Sequence, residues 1–288
     1  MNQQIYDQAR THWTWRDCSH FGQFRVSGAD AVTLLHHLTT NNIKGLKTGA
    51  SCDAVLISHK GRVLDWLTVA RDENAFLVIT SPNRRTMFKP HAEKFILFRQ
   101  DVQIEEINSP LWAAFGPQVK QDGFATHRLP GGGFFVLNGD FPGSPACDDK
   151  TYNVLRVEAG VPVTGLELTE SFNPWEAGLD DAISLHKGCY NGQEIIARLN
   201  TYKKVKQGLF GLRLESEISL SQLANAPAKL LCEGRDAGLV TSSAHSPRFG
   251  PIALAYVRGD YQAPGQKLQI SLPDSAQPAT VCALPFAE

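Results

Sequence analysis

Residues 185–199 read LHKGCYNGQEIIARL. Within eight positions a lysine, a cysteine, a tyrosine, a glutamine and a glutamate stand around two glycines. Gly188 and Gly192 open backbone conformations that other residues avoid, so 187–192 reads as a tight loop. Residues 193–199 then read as a helix, with Ile195, Ile196 and Leu199 toward a core and Glu194 and Arg198 at the i, i+4 spacing of an ion pair. Cys189 falls just ahead of that helix start and two residues from Lys187. Helix dipole and ammonium both favour a thiolate, the form in which a cysteine is nucleophilic. The residues alone leave two readings open, an activated thiol and a buried loop thiol. Only His186 stands near enough in sequence to act as its base.

Upstream, YNVLRVEAGVPVTGLEL places Glu158 after an apolar run and before Ala-Gly-Val-Pro, near the end of a buried element. A carboxylate there either pairs with a cation such as Arg156 or caps a helix end, or it receives a ligand with two parallel N–H donors. Downstream, from about residue 205, five short β-like runs (GLFGLRLE, AKLLCEGRDAGLVTSSA, IALAYVR, QKLQISL and ATVCAL) are separated by glycine and proline turns. They predict a small closed barrel or sandwich.

Nearer the N-terminus, SGADAVTLLHHLTTNNI predicts a helix capped by Ser27, with Ala31, Leu34, Leu35 and Leu38 on its apolar face. CDAVLISH, VLDWLTVAR and AFLVITS, joined by short polar turns, predict an antiparallel meander. A further helix is expected over 83–97, with Pro90 in its middle. DVQIEEIN and LWAAFG read as strands. The glycines of LPGGGFFVLNG lack the strand-to-helix context of a dinucleotide loop and read as a turn followed by one short strand.

At 288 residues, the chain calls for more than one packed unit. A net charge of −1 and 20% charged residues supply no broad field for nucleic acid or an anionic membrane. The start, MNQQIYDQARTHWTW, has no apolar core of signal-peptide length, and no segment has the roughly 20 apolar residues of a membrane span. A cytoplasmic location is expected. Six cysteines at 18, 52, 147, 189, 232 and 282 form no CxxC spacing. They read as reduced thiols, and no metal site is expected.

LHKGCYNGQEIIARL resembles the signature Lys-Gly-Cys-Tyr-x-Gly-Gln-Glu of the YgfZ-type folate-binding proteins, relatives of the glycine cleavage T-protein, an aminomethyltransferase. Every specified position is present, as Lys187, Gly188, Cys189, Tyr190, Gly192, Gln193 and Glu194. RVEAGVPVTGLEL, NPWEAGLDDAISL, GLVTSSAHSP and IALAYVR resemble the same family, as do SGADAVTLLHHLTTNNI and GRVLDWLTVAR.

The resemblance implies an α+β, ring-like T-protein fold: two interleaved α+β units with antiparallel sheets over 1–205, and a C-terminal β barrel over 206–288. Between them a channel would accept tetrahydrofolate or a one-carbon derivative. Glu158 would take the pterin bidentately, and Lys187 and Arg198 would meet the glutamate tail. Asp65, Tyr190, Gln193 and Glu194 complete the implied folate site, with Cys189 and Lys187 as its catalytic pair. T-proteins carry two adjacent aspartates where this chain has Asp65-Trp66, and one of them assists methylene transfer. Tryptophan cannot take a proton as a carboxylate does, so ordinary aminomethyl transfer is not expected.

The family is associated with assembly or repair of iron-sulfur clusters, including those of tRNA-thiolating enzymes, and a folate-binding auxiliary role is the leading expectation. The alternatives are a folate-dependent one-carbon transferase and a non-catalytic adaptor for tRNA or a protein. The basic run Lys203, Lys204 and Lys206 is too narrow for a nucleic-acid site, so direct tRNA binding is not expected.

Overall fold

Three β-branched runs joined by tight turns set the frame. In the structure, a computed structural model describing residues 1–143, 145–202, 205–216, 228–272 and 275–287, the chain opens with α1 (Gln3–Thr11) and β1 (Thr14–Asp17). Next come β2 (Gln23–Ser27), α2 (Ala31–Leu38) and the meander β3 (Ser51–Ile57), β4 (Val63–Arg71) and β5 (Ala75–Ile79). α3 (Arg85–Glu93) and β6 (Gln103–Glu106) complete the first unit, a fully antiparallel sheet in the order β3-β4-β5-β2-β6. Phe24, Val26, Leu34, Leu35, Leu38 and Phe88 close its core beneath α2 and α3.

The second unit interleaves with the first. β1 leaves the N-terminus to pair with β7 (Leu111–Phe115), and the sheet runs β1-β7-β9-β8 with β8 (Phe124–Thr126) and β9 (Gly133–Leu137). Its core joins the back of the first sheet through Leu77, Ile79, Phe115, Phe135 and Leu155, the last from α4 (Asp149–Ala159). Asp148 caps α4 by accepting the Thr151 N–H at 2.9 Å. α5 (Gln193–Thr201) then leads to the barrel.

The barrel closes in the order β10-β13-β12-β11-β14-β15, with β10 (Gln207–Leu214), β11 (Lys229–Cys232), β12 (Arg235–Ser246), β13 (Gly250–Arg258), β14 (Lys267–Leu272) and β15 (Ser275–Cys282). Five runs yield six strands because AKLLCEGRDAGLVTSSA reverses at Glu233 and Gly234, both at positive φ, and pairs with itself. Closure leaves no unpaired edge.

Two local expectations change. Ser27 is the last residue of β2; the α2 cap is Asp30, reached through Gly28 at φ 103°, and no side-chain cap bond forms. α3 stops at Glu93, so Phe95 and Ile96 pack against the core from the turn beyond it. Pro90 is accommodated inside the helix. Lys203 and Lys204 of the basic run lie outside the described residues.

Candidate functional site

α4 ends at Ala159, and Gly160, left-handed at φ 73°, turns the chain toward the barrel. Residues 159–162 line a cavity of about 450 Å³ whose other walls are Asp53 and Trp66 from the first sheet, Leu179 and Asp181, and Leu209 and Leu284 from the barrel end. It shares Asp53, His127 and Asp181 with a cavity of about 480 Å³ over the loop 131–133. It also shares Ala159 and Pro285 with a cavity of about 370 Å³ beside α1. The three cavities share walls, and this channel region is where all three parts of the fold meet. Each lies within the roughly 300–1,000 Å³ of small-molecule pockets.

The channel's polar centre is a pair that the sequence reading missed. Asp53, buried in β3, accepts from Thr68 Oγ1 (2.7 Å), Thr126 Oγ1 (2.8 Å) and the His127 backbone N–H (2.6 Å). Its Oδ2 lies 3.5 Å from His127 Nδ1, and this partner raises the proton affinity of the imidazole. A carboxylate fixed by three donors thus orients a histidine that stands open to the channel. The available signal was one aspartate inside the otherwise apolar run CDAVLI.

Glu158 occupies the α1 side of the channel, but its oxygens are already engaged. Oε1 accepts from Tyr6 (2.7 Å) and Ser246 (2.6 Å), and Oε2 from Arg10 (2.5 Å). Arg156 is not its partner: two residues apart on one helix, the side chains diverge. Arg156 instead pairs with buried Glu167 at 3.3 Å. A bidentate pterin at Glu158 would require displacing Tyr6 or Ser246 from Oε1 and sharing Oε2 with Arg10. Asp181, exposed and in the walls of two of the cavities, has no side-chain hydrogen bond or ion pair among the described residues.

Asp65 also departs from expectation. It is wholly buried behind the sheet, accepting the Trp66 N–H (2.8 Å), the Ser81 N–H (3.2 Å) and Thr164 Oγ1 (3.4 Å), and burial pushes its carboxyl up. Strand alternation turns its neighbour Trp66 to the channel instead.

The signature loop is a clamp. Lys187 is buried and donates to the carbonyls of His36, Thr39 (2.5 Å) and Asn41 (2.9 Å), closing the C-terminal turn of α2. Its Nζ stands 4.8 Å from the Tyr190 ring centre, and Tyr190 is itself buried among Trp66, Ile196 and Tyr256. Burial draws the ammonium down to about 7. Gln193 accepts the Tyr190 N–H at 3.3 Å. Glu194 and Arg198 are both exposed and no ion pair joins them; Ile196 alone of the three apolar residues of α5 is fully buried. Lys187, Tyr190, Gln193, Glu194 and Arg198 therefore line none of the channel cavities. Cys189 is exposed and also outside the lining, with the Lys187 ammonium committed to α2. The one channel cation is Arg10, among the described residues of the three cavities. No cluster of histidine, cysteine and carboxylate able to hold a metal occurs among the described residues, and no helix there is long and apolar enough to cross a membrane.

Residues 3–120 match the GCVT N-terminal domain, and residues 207–288 match the glycine cleavage T-protein C-terminal barrel domain. The chain thus carries both GCVT-type domains on an aminomethyltransferase-like fold. Among relatives, a chloroplastic protein of Arabidopsis thaliana that bears a transferase name is 30% identical over 84% of this chain, which spans 64% of that relative's length. The aminomethyltransferase of Saccharopolyspora erythraea is 28% identical, with 94% of this chain and 85% of that protein covered. Glycine cleavage system aminomethyltransferase T from Bartonella henselae superposes with a TM-score of 0.83 at 23% identity, over 99% of this chain and 89% of that one, which establishes the shared fold.

Proposed function

We propose that this chain binds tetrahydrofolate or a one-carbon derivative in its central channel and acts as an auxiliary factor in iron-sulfur cluster assembly or repair, in a reducing, cytoplasmic setting. The observation that carries the reading is the channel wall at Trp66. Where the segment resembles the paired aspartates of T-proteins this chain has Asp65-Trp66, and with Asp65 buried behind the sheet and Trp66 in the wall, no carboxylate of that pair faces the ligand space. The exposed thiol of Cys189 supports a separate thiol-dependent task away from the folate.

For the pterin, Asp181 and Glu158 are competing anchors, and geometry favours Asp181, whose oxygens need no displacement. Arg10, already paired with Glu158, is the cation that a glutamate tail would share there. Titrating tetrahydrofolate into the protein tests this: Asp181→Asn is expected to weaken binding by about tenfold or more, the loss of a bidentate charged contact. A normal affinity in Asp181→Asn with a loss in a folded Glu158→Gln moves the anchor to Glu158. No binding to the unmodified protein refutes the folate reading altogether. Cys189→Ser should keep the affinity yet fail to restore an iron-sulfur enzyme in a reconstitution assay.

One observation favours a second reading, one-carbon transfer: the Asp53–His127 pair supplies an acid–base group inside the channel. Turnover of methylene-tetrahydrofolate with an amine donor, lost in His127→Gln, would establish it.

A further inference from the structure

Trp66 has a second cavity on its other side. About 130 Å³ in volume, it shares only Trp66 and Pro162 with the 450 Å³ cavity, and its polar walls are Arg16, His20, Ser81, Arg128 and Thr164. Its chemistry is one-sided. Arg128 is buried, and no carboxylate makes an ion pair with it among the described residues. One guanidinium nitrogen, Nη1, donates to the Ile79 carbonyl (2.8 Å) and to Thr68 Oγ1 (3.3 Å). The other, Nη2, reaches Ser81 Oγ only at 3.5 Å, beyond a normal hydrogen bond.

The nearest negative charges act at one remove: Thr68 links Arg128 to Asp53, and Ser81 links it to Asp65. Both carboxylates already hold other donors. Arg16 is balanced by Asp149 at 2.8 Å, and the Ser81 and Thr164 hydroxyls bond to each other at 2.8 Å. Finally, the Trp66 indole nitrogen is buried and has no hydrogen-bond partner. A buried cation without a direct counter-ion is costly, and Arg128 stands in the wall of this small cavity; the Trp66 indole nitrogen has no accessible surface there and is a neighbour of the space, not a contact.

What satisfies Arg128 is a compact anion with acceptor oxygens, and about 130 Å³ is room for a small one. We propose that this cavity is a subsite for a small carboxylate of formate or acetate size, held by the Arg128 guanidinium beside Trp66. Through Trp66 and Pro162, the carboxylate sits one side chain away from whatever occupies the channel, as a co-substrate or product of chemistry there would. The inference does not depend on folate being the channel ligand.

The test reads the indole directly. In ¹H–¹⁵N spectra of the full-length protein, the Trp66 signal is assigned by its loss in Trp66→Phe, and sodium formate, sodium acetate or neutral acetamide is titrated at constant ionic strength without folate. A saturable shift of the Trp66 indole with formate or acetate, absent with acetamide, is expected, and Arg128→Gln should weaken it by about tenfold or more. Should that variant not fold, the contrast between acetate and acetamide in the unmodified protein decides. No saturable shift, an equal shift with acetamide, an equal response from all five tryptophans, or unchanged binding in a folded Arg128→Gln overturns the proposal.

Discussion

Gly192 shows how one position can demand its residue. Its φ is 77°, and a Cβ there would lie 2.7 Å from the Ser58 carbonyl oxygen, so both conformation and space exclude a side chain. Gly192→Ala should destabilise the protein by about 1–3 kcal/mol in denaturant titration. Cys189→Ser, at an exposed position, should change stability by less than about 0.5 kcal/mol. The Asp53–His127 pair makes a prediction of opposite character. The folded imidazole binds its proton more tightly than an unfolded histidine, so the pair's contribution is full below pH 6.5 and is lost as pH rises through the raised value. Asp53→Asn should move the His127 titration, followed by imidazole NMR, toward lower pH.

α2 ends where a lysine from 151 residues away terminates it. The last carbonyls of a helix need donors, and Lys187 gives its N–H groups to three carbonyls in and just beyond that turn. Lys187→Met should cost about 1–3 kcal/mol and lower the exchange protection of the end of α2, without changing folate affinity. The pH dependence distinguishes this from simple loss of packing. Burial lowers the folded value from 10.5 to about 7, so between those pH values the unfolded chain binds more protons and native stability rises with pH. In Lys187→Met that rise should be missing. Asp30 and Ser27 make the same point at the other end of α2: of two equally good capping residue types, the Gly28 turn leaving the sheet decides which one stands at the helix start.

Buried charge holds α1 and α4 against the barrel. Glu158 draws together Tyr6 and Arg10 of α1 and Ser246 at the end of β12. Glu167 accepts from Arg156 of α4 and from Thr241 and Ser242 of β12, while the Tyr256 hydroxyl donates to its backbone carbonyl. Removing one partner of such a pair leaves an uncompensated charge, so Glu167→Ala should destabilise by about 3–5 kcal/mol. Hydrogen exchange should rise first along β12 and the end of α4, the two surfaces that this network joins.

Local sequence determined the elements themselves. The β-rich runs 52–59, 63–71 and 75–81 specified a meander through residue type and short polar turns, and the C-terminal runs specified a small barrel or sandwich, with the barrel decided by strand pairing. The glycines of 187–192 marked a tight loop, because backbone freedom is a property of the residue. What each side chain does once there was settled only by tertiary packing. Lys187 and Glu158 read as ligand contacts, yet their hydrogen-bond partners lie 88 to 152 positions away, a separation that no local pattern reports. Asp53, His127 and Asp181 carry no motif between them; they come together because the first sheet, the loop after β8 and the segment beneath the barrel close around one space. A functional site of this kind is a property of distance in three dimensions, and side-chain chemistry along the chain does not encode it.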